Sequence, residues 1–299
     1  MKLNTYYDLK FAPATFDFGT YLVVSNAVRQ SIGAESMGVT IVCDSFREKT
    51  PRELTTTKSE LSWRINHILT KLPFLIPEVD SLTINEGGLE DIKLPFFPGG
   101  YPPAKDMIFP YTAGSLIPFY GTGINLRPYK ASEQARSFIN NAFDDNVITI
   151  SLRNSKFQPA RNSNLEEWYK VYQELKASKF RPIVLPCFED YMTERLFAKY
   201  DWEIYEPALL DLDLRLALYE KAKDNLCINN GVIIPLIHSD CRYHIFKWLT
   251  EGIPTCSIEW NKKVWGINYG ENFQFSSSSG QHLVWEDDDA DLILKALNL

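Results

Sequence analysis

The run Ile148–Trp168, ITISLRNSKFQPARNSNLEEW, passes from an apolar strand pattern through a polar stretch into the start of a helix. Arg153 stands directly after the strand, and Arg161 follows eight residues later. Ser163 or Asn164 is placed to cap the helix, with Glu166 and Glu167 in its first turn. In open α/β sheets a ligand lies beyond the carboxyl ends of the strands, so the spacing delivers Arg153 to that rim. Two guanidinium groups beside a positive helix terminus would receive phosphate oxygens, which arginine meets with paired N–H donors. The competing expectation is that Arg153 and Arg161 pair with Glu166, Glu167 or Asp190 and only brace the loop.

A second segment has the same character. DNLCINNGVIIPLIHSD places Asn229, Asn230 and Gly231 straight after a short buried strand. Glycine there permits close backbone approach, and the amide side chains can read polar groups of a ligand. His238 is placed to touch that ligand, whereas His244 reads as a packing residue. Ser239 and Asp240 are expected to open the next helix and offer a second N-terminus. The plainer alternative is an Asn-Gly turn with an ordinary cap.

These segments sit in a chain of 299 residues, enough for two domains of ordinary size. The formal charge of -7 argues against a general nucleic-acid binder, which carries a basic face. Within an acidic protein, an anion site has to be a local cluster of the kind just described. The five cysteines (43, 187, 227, 241 and 256) are far apart, and no pair has a zinc-ribbon spacing; they read as reduced core residues of a cytoplasmic protein. MKLNTYYDLKFAP breaks the apolar run a signal peptide needs, and no window is long and apolar enough for a membrane helix. A peripheral membrane association through exposed aromatic residues stays open.

The elements that must position these residues alternate along the chain. Strands are expected at 4–11, 38–45, 81–87, 146–152, 181–187, around 225–229 and at 253–258. Helices are expected on the face Leu22, Val23, Ala27 and Val28 with Gly33 as terminator, and over 58–72, 132–143, 165–177, 192–199, 209–223, 239–249 and the C-terminal segment. The aromatic segment 91–130, rich in proline and glycine, reads as an ordered connection. Strands alternating with helices of ten to fifteen residues imply α/β architecture: two Rossmann-like lobes with mainly parallel sheets facing a central cleft. The hand-over divides the chain into residues 1–130 and 131–299.

ITISLRNSKFQPARNSNLEEW, RPIVLPCFED, LRLALYEKAKDNLCINNG and HLVWEDDDADLILKAL together resemble nucleotide-sugar glycosyltransferases of the two-lobed B-type fold. The chain is similar to bacterial surface-polysaccharide enzymes and, more distantly, to heptosyltransferases and O-fucosyltransferases. The likeness covers about residues 146–299, and FAPATFDFGTYLVVSNAVR is similar to the first loop and helix of the acceptor lobe. It implies an acceptor-side lobe over 1–130 and a nucleotide-sugar-binding lobe over 131–299, with Arg153 meeting the diphosphate. Arg161, Asn164, Asn230, Gly231, His238 and Ser239 complete the expected donor-binding set. The implied activity is transfer of a sugar from a nucleotide-sugar donor to a glycan or small hydroxyl acceptor. The alternatives are a nucleotide-sugar epimerase or hydrolase on the same fold, or a non-catalytic sugar-binding protein.

Such a transfer needs a group to stabilise the leaving diphosphate and a base for the acceptor hydroxyl. Asp17, in TFDFG, is the candidate base and Glu86 the reserve; the rival role for Asp17 is an N-cap bonded to Gly19 or Thr20. Asp211 and Asp213 read as a solvated helix face, and Asp287–Asp289 as a helix start. Neither is expected to hold a metal, and no cofactor is called for.

Overall fold

The computed structural model describes residues 1–46, 56–87, 91–102, 109–188, 191, 195–277 and 280–299. The chain divides into two compact units, Met1–Lys130 and Ala131–Leu299. Each is an α/β unit built on a parallel sheet.

The first unit opens with β1 (Lys2–Asp8), α1 (Asp17–Ser31) and β2 (Ser36–Val42), then α2 (Lys58–Arg64), β3 (Val79–Asn85) and the two-residue β4 (Phe96–Phe97). The strand order is β3-β2-β1-β4. β1 and β2 run side by side from Lys2 opposite Ser36 to Asp8 opposite Val42. Helix α1 buries Phe18 and Tyr21, which meet Tyr7 of β1 with ring centroids 4.4 and 4.9 Å away. The two tyrosine rings are amphipathic, so their hydroxyls need partners in the core. Tyr21 donates to the Tyr6 carbonyl (2.7 Å) and lies 3.0 Å from Thr5 Oγ1, while Tyr7 donates to the Pro13 carbonyl (2.7 Å). β4 lies inside the proline-rich connection, where no strand was expected. Its backbone pairs with Asn4 and Thr5, and neighbouring prolines do not prevent that at a sheet edge.

The second unit runs α3 (Glu133–Ala142), β5 (Val147–Ser151), α4 (Leu165–Ala177), β6 (Arg181–Val184), α5 (Leu212–Lys221), β7 (Asp224–Ile228), β8 (Tyr243–Phe246), α6 (Ile258–Val264), β9 (Gln281–Leu283) and α7 (Ala290–Ala296). Its strand order is β6-β5-β7-β8-β9, all parallel. A core of Ile148, Ile150, Leu226, Ile228 and Phe246 packs against Trp168, Val171 and Leu175 of α4 and Ile293 of α7. All five residues of β5 and of β7 are buried, as both faces of a parallel sheet are covered.

Several expected elements differ. The helix expected over 239–249 is instead β8, whose four residues are all buried. A short run with Arg242, His244 and Lys247 spaced by two and three fits either period, and pairing with β7 and β9 decides it. The strand expected at 253–258 is a turn of 3-10 helix at Pro254–Cys256 leading into α6, which Ser257 caps by accepting from Trp260 N–H (3.2 Å). The helix expected at 192–199 falls partly outside the described residues, and Arg195–Lys199 is 3-10 helix. Asp211 is exposed and Asp213 half-buried, and both carboxylates are engaged by backbone or side-chain donors. Asp211 caps α5, and Asp213 binds Ser132 through its N–H (2.7 Å) and hydroxyl (2.5 Å), fastening α3. None of the five cysteines forms a disulfide; Cys227 lies in β7, while Cys43 and Cys187 are only partly buried. No described helix is long and apolar enough to cross a membrane.

Candidate functional site

In the second sheet the chain moves from β5 outward to β6 in one direction and to β7, β8 and β9 in the other. The carboxyl ends of β5 and β7 are therefore a topological switch point, where open α/β sheets receive ligands. Arg153 lies two residues beyond β5, and Asn229 and Asn230 follow β7. The strand order brings these sequence-distant segments together. Arg161 ties them: its Nη2 donates to the Asn229 carbonyl at 3.0 Å, and its Nη1 to Gln158 Oε1 at 3.0 Å.

The connection from 153 to 163 is closed by its own polar groups. Ser163 N–H donates to the Arg153 carbonyl, and Arg153 N–H donates to Ser163 Oγ, both at 2.9 Å. Asn162 and Ser155 exchange a further pair, with Ser155 N–H donating to Asn162 Oδ1 (2.9 Å) and Asn162 Nδ2 to the Ser155 carbonyl (3.0 Å). The Arg153 guanidinium is turned into this loop. It donates to the carbonyls of Gln158 (3.1 Å) and Phe157 and to Asn162 Oδ1. Arg153 is 6% exposed. Gln158 has a left-handed backbone (φ +53°), costly for a non-glycine residue, and both arginines bind it.

Bracing is thus realised for Arg153 through carbonyls. Glu166 pairs instead with Lys199 (3.7 Å) and Glu167 with Lys170 (2.6 Å), while Asp190 lies outside the described residues.

The helix cap is not the expected one. Neither Ser163 nor Asn164 caps α4 with its side chain. Asp288, only 3% exposed, reaches in from the segment before α7 and accepts from Asn164 N–H (2.6 Å) and Trp168 Nε1 (2.8 Å). Lys247 Nζ sits 3.3 Å from its other oxygen and donates to the Asn162 carbonyl at 3.1 Å. A carboxylate of the protein therefore already occupies the anion position at the start of α4. Asp289 beside it caps α7, as the acidic helix start implied.

Two donors on these segments are buried without a partner. Asn230, 6% exposed, accepts from Val232 N–H (3.0 Å), but its Nδ2 has no partner. Arg161 Nε is likewise buried and unpartnered. An unmet buried donor costs about 1–3 kcal/mol. Both occur on the two segments that flank the switch point. Gly231, next to Asn230, is exposed and begins a 3-10 turn.

His238 and Ser239 are placed otherwise than the sequence suggested. His238 is fully buried and stacks on Phe275 at 4.7 Å. Ser239 is 1% exposed; its hydroxyl donates to the Leu236 carbonyl (2.8 Å) and accepts from Cys241 N–H (3.3 Å). It leads into β8 and opens no helix. His244 lies in β8 at the amino end of the sheet, 3.1 Å from Asp224. Among the described residues no three His, Cys, Asp or Glu side chains gather as a metal site would require. A hollow of about 360 Å³, lined by Lys176, Arg181, Asp201 and Trp202 among others, opens near the start of β6, away from the carboxyl rim.

In the first unit Asp17 is exposed and is the first residue of α1. It is not the cap. Gly19 N–H donates to the Phe16 carbonyl (2.8 Å), and the Asp17 carboxylate accepts from Thr15 Oγ1 (2.6 Å). Glu86 is exposed just beyond β3. Sequence reading passed over Asp8, the last residue of β1, which is 5% exposed and lies at this sheet's own switch point between β1 and β4. It accepts from Lys10 N–H (2.8 Å) and Tyr101 OH (3.0 Å). Burial raises its pKa above the usual carboxyl value, against the pull of those two bonds.

With this geometry established, the chain can be set beside known proteins. No protein-family model matches it, and no curated protein sequence does. Among solved structures, ADP-heptose LPS heptosyltransferase II of E. coli superposes over 100% of this chain and 98% of its own, with 10% identity and a TM-score of 0.53. The fold is GT-B-like, with two Rossmann-type domains. A family 9 glycosyl transferase from Veillonella parvula matches over 99% of this chain and 89% of its own, at 11% identity and a TM-score of 0.45. A UDP-GlcNAc 2-epimerase from Methanocaldococcus jannaschii matches over 100% and 92%, at 12% identity and a TM-score of 0.40. At these identities the likeness is one of fold.

Two outcomes follow from the site's construction. Asp288→Ala strips the cap of α4, the Trp168 bond and the partner of Lys247, and should cost about 3–5 kcal/mol in urea unfolding; a cost below about 1 kcal/mol would show that water replaces the carboxylate. Because Asp8 has a raised pKa, its protonated form is favoured by folding, and that contribution is lost as pH rises through the folded value. From about pH 4 upward, wild type should lose stability relative to Asp8→Asn, measured as the difference in unfolding free energy across a pH series. A difference that moves the other way would mean the two hydrogen bonds outweigh burial.

Proposed function

We propose that the protein is a glycosyltransferase that moves a sugar from a nucleotide-sugar donor to a glycan or other hydroxyl acceptor. The observation that carries this reading is the pair of unpartnered buried donors, Arg161 Nε and Asn230 Nδ2, on the segments flanking the β5/β7 switch point. Donors held at that rim suit an anionic, hydroxyl-rich ligand. The GT-B-like fold is compatible with it. In this reading the second unit binds the donor. Arg161 meets the diphosphate, Asn230 and the exposed backbone at Gly231 contact it, and Arg153 fixes the loop that presents Arg161. Asn164, His238 and Ser239 contribute through the surrounding structure. The setting is the cytoplasm, where nucleotide-activated sugars would be met by a protein with free thiols.

Chemically, the bond from the anomeric carbon to the diphosphate oxygen breaks while a bond to the acceptor oxygen forms. Charge accumulating on the diphosphate is met by the Arg161 guanidinium and neighbouring N–H donors. The acceptor hydroxyl proton passes to Asp17 of the first unit, whose exposed carboxylate is accessible to an incoming group. Thr15 Oγ1 orients that carboxylate.

Titrating a panel of nucleoside diphosphates and nucleotide sugars by calorimetry tests the donor assignment. Arg161→Ala should weaken the best-binding diphosphate by about 1.5–3 kcal/mol, the range for a hydrogen bond to a charged group, and Asn230→Ala by about 1 kcal/mol. Unchanged affinity in folded variants would return both residues to a purely structural role. Asp17→Asn should lower turnover at saturating substrates by about 10²–10⁴-fold while leaving donor affinity intact, because a base acts on the transition state. Full turnover in that variant would move the search for a base to Asp8 and Glu86.

A further inference from the structure

Arg215 lies in the leucine-rich run LDLRLALY of α5 and is 2% exposed. Its Nε donates to Tyr219 OH (2.8 Å), and its Nη2 to the Leu185 carbonyl (2.9 Å) and, more weakly, to Ser151 Oγ (3.5 Å). Its Nη1 points to the Pro186 carbonyl (3.4 Å), and the guanidinium lies 5.7 Å from the centre of the Tyr219 ring. Every acceptor is neutral. Among the described residues no carboxylate comes within ion-pair distance of Arg215.

The described neighbours Tyr219 and Cys227 do not supply a negative charge. Burial raises the pKa of the Tyr219 phenol, although Arg215 pulls it the other way, and pushes the Cys227 thiol up to about 12. Both stay neutral around pH 7. A guanidinium taken out of water without a counter-ion is strongly unfavourable, and proteins retain such an arrangement only when something else compensates it.

The position of Arg215 indicates where compensation arises. Ser151 is the last residue of β5, and Leu185 and Pro186 directly follow β6. Cys227 of β7 stands opposite Ser151 in the sheet. The charge thus sits under the carboxyl ends of the strands, beside the switch point where Arg161 and Asn230 present their unmet donors. In a poorly screened interior its field reaches beyond hydrogen-bonding distance.

We propose that Arg215 is the fixed positive charge of this anion site, and that the phosphate groups of a bound nucleoside diphosphate provide a counter-charge that none of the described residues supplies. It acts through the strand ends and the local field, without touching the ligand, and so is a positioning residue. The inference rests on the donor-site reading of the same rim.

The test compares three probes by calorimetry on wild type and variants: the best-binding nucleoside diphosphate, its parent nucleoside and inorganic pyrophosphate. Arg215→Met should lose about tenfold or more in affinity for the diphosphate and for pyrophosphate, with less than a twofold change for the nucleoside. Arg215→Lys, which keeps the charge, should remain within about threefold of wild type. Equal losses for charged and uncharged probes would mark a structural role and overturn the proposal, as would undiminished diphosphate binding. Should Arg215→Met fail to fold, Ser151→Ala and Tyr219→Phe remove acceptor bonds and leave the charge. Their diphosphate affinity should stay within twofold, and a tenfold loss would show that bond geometry, and not charge, is what matters. Wild type that binds neither diphosphate nor pyrophosphate would sink both the donor-site reading and this inference. Pyrophosphate binding that depends on Arg215 without any preference for nucleotides would uphold the charge and sink the nucleotide reading alone.

Discussion

The buried carboxylate of Asp288 holds the loop at the carboxyl end of the second sheet in shape. One oxygen accepts from the amide of Asn164, the residue that precedes α4, and from the Trp168 indole, and the other faces the Lys247 ammonium. Trp168 is at the centre of the core, so this bond links the surface loop to the packing beneath it. Lys247, which also donates to the Asn162 carbonyl, has a left-handed backbone (φ +53°). A non-glycine residue holds that conformation only where surrounding contacts dictate it. The 153–163 loop, the end of β8 and the approach to α7 are consequently joined at one buried ion pair.

That arrangement divides the work of the two loop arginines. Arg153 is consumed by its own loop and sets the conformation in which Arg161 is held. Arg161 spans to the Asn229 carbonyl and keeps one buried N–H unmet. An arginine suits such a bridge because its planar fork makes several bonds from one rigid group, which lysine cannot do. The first unit has a different balance. Its rim carries Asp8, Asp17 and Glu86 over an aromatic core whose hydroxyls are internally paired, and it presents carboxylates where the second unit presents cations. Each set is positioned by the strand ends of its own sheet.

Much of the fold was legible because local patterns agreed with it. β5, α4 and the two-sided burial of the sheet follow from VITIS and LEEWYKVYQELKA, and Ser132 and Asp289 cap the helices that the pattern assigned to them. The β8 segment and the turn after it were misread because the polar residues of CRYHIFKWL, Arg242, His244 and Lys247, are spaced by two and by three, so neither the strand nor the helix period is decisive. Arg215 left a signal that went unused, a lone arginine among leucines. Asp288 left none, since nothing in DDD distinguishes the residue that caps its own helix from the one that reaches a distant one.

The sequence by itself determined the alternation of strands and helices, the division of the chain's chemistry into an arginine-bearing connection and an Asn-Gly turn, and the acidic balance that confines any anion site to a local cluster. Periodicity and composition act over a few residues, and they specify elements of that size. Tertiary structure alone decided which of those residues meet. The order β6-β5-β7-β8-β9 places Arg161 against Asn229, carries Asp288 to α4 and buries Arg215 beneath two strand ends. Hydrogen bonds and fields between groups tens of residues apart depend on strand order and register, which no local pattern encodes.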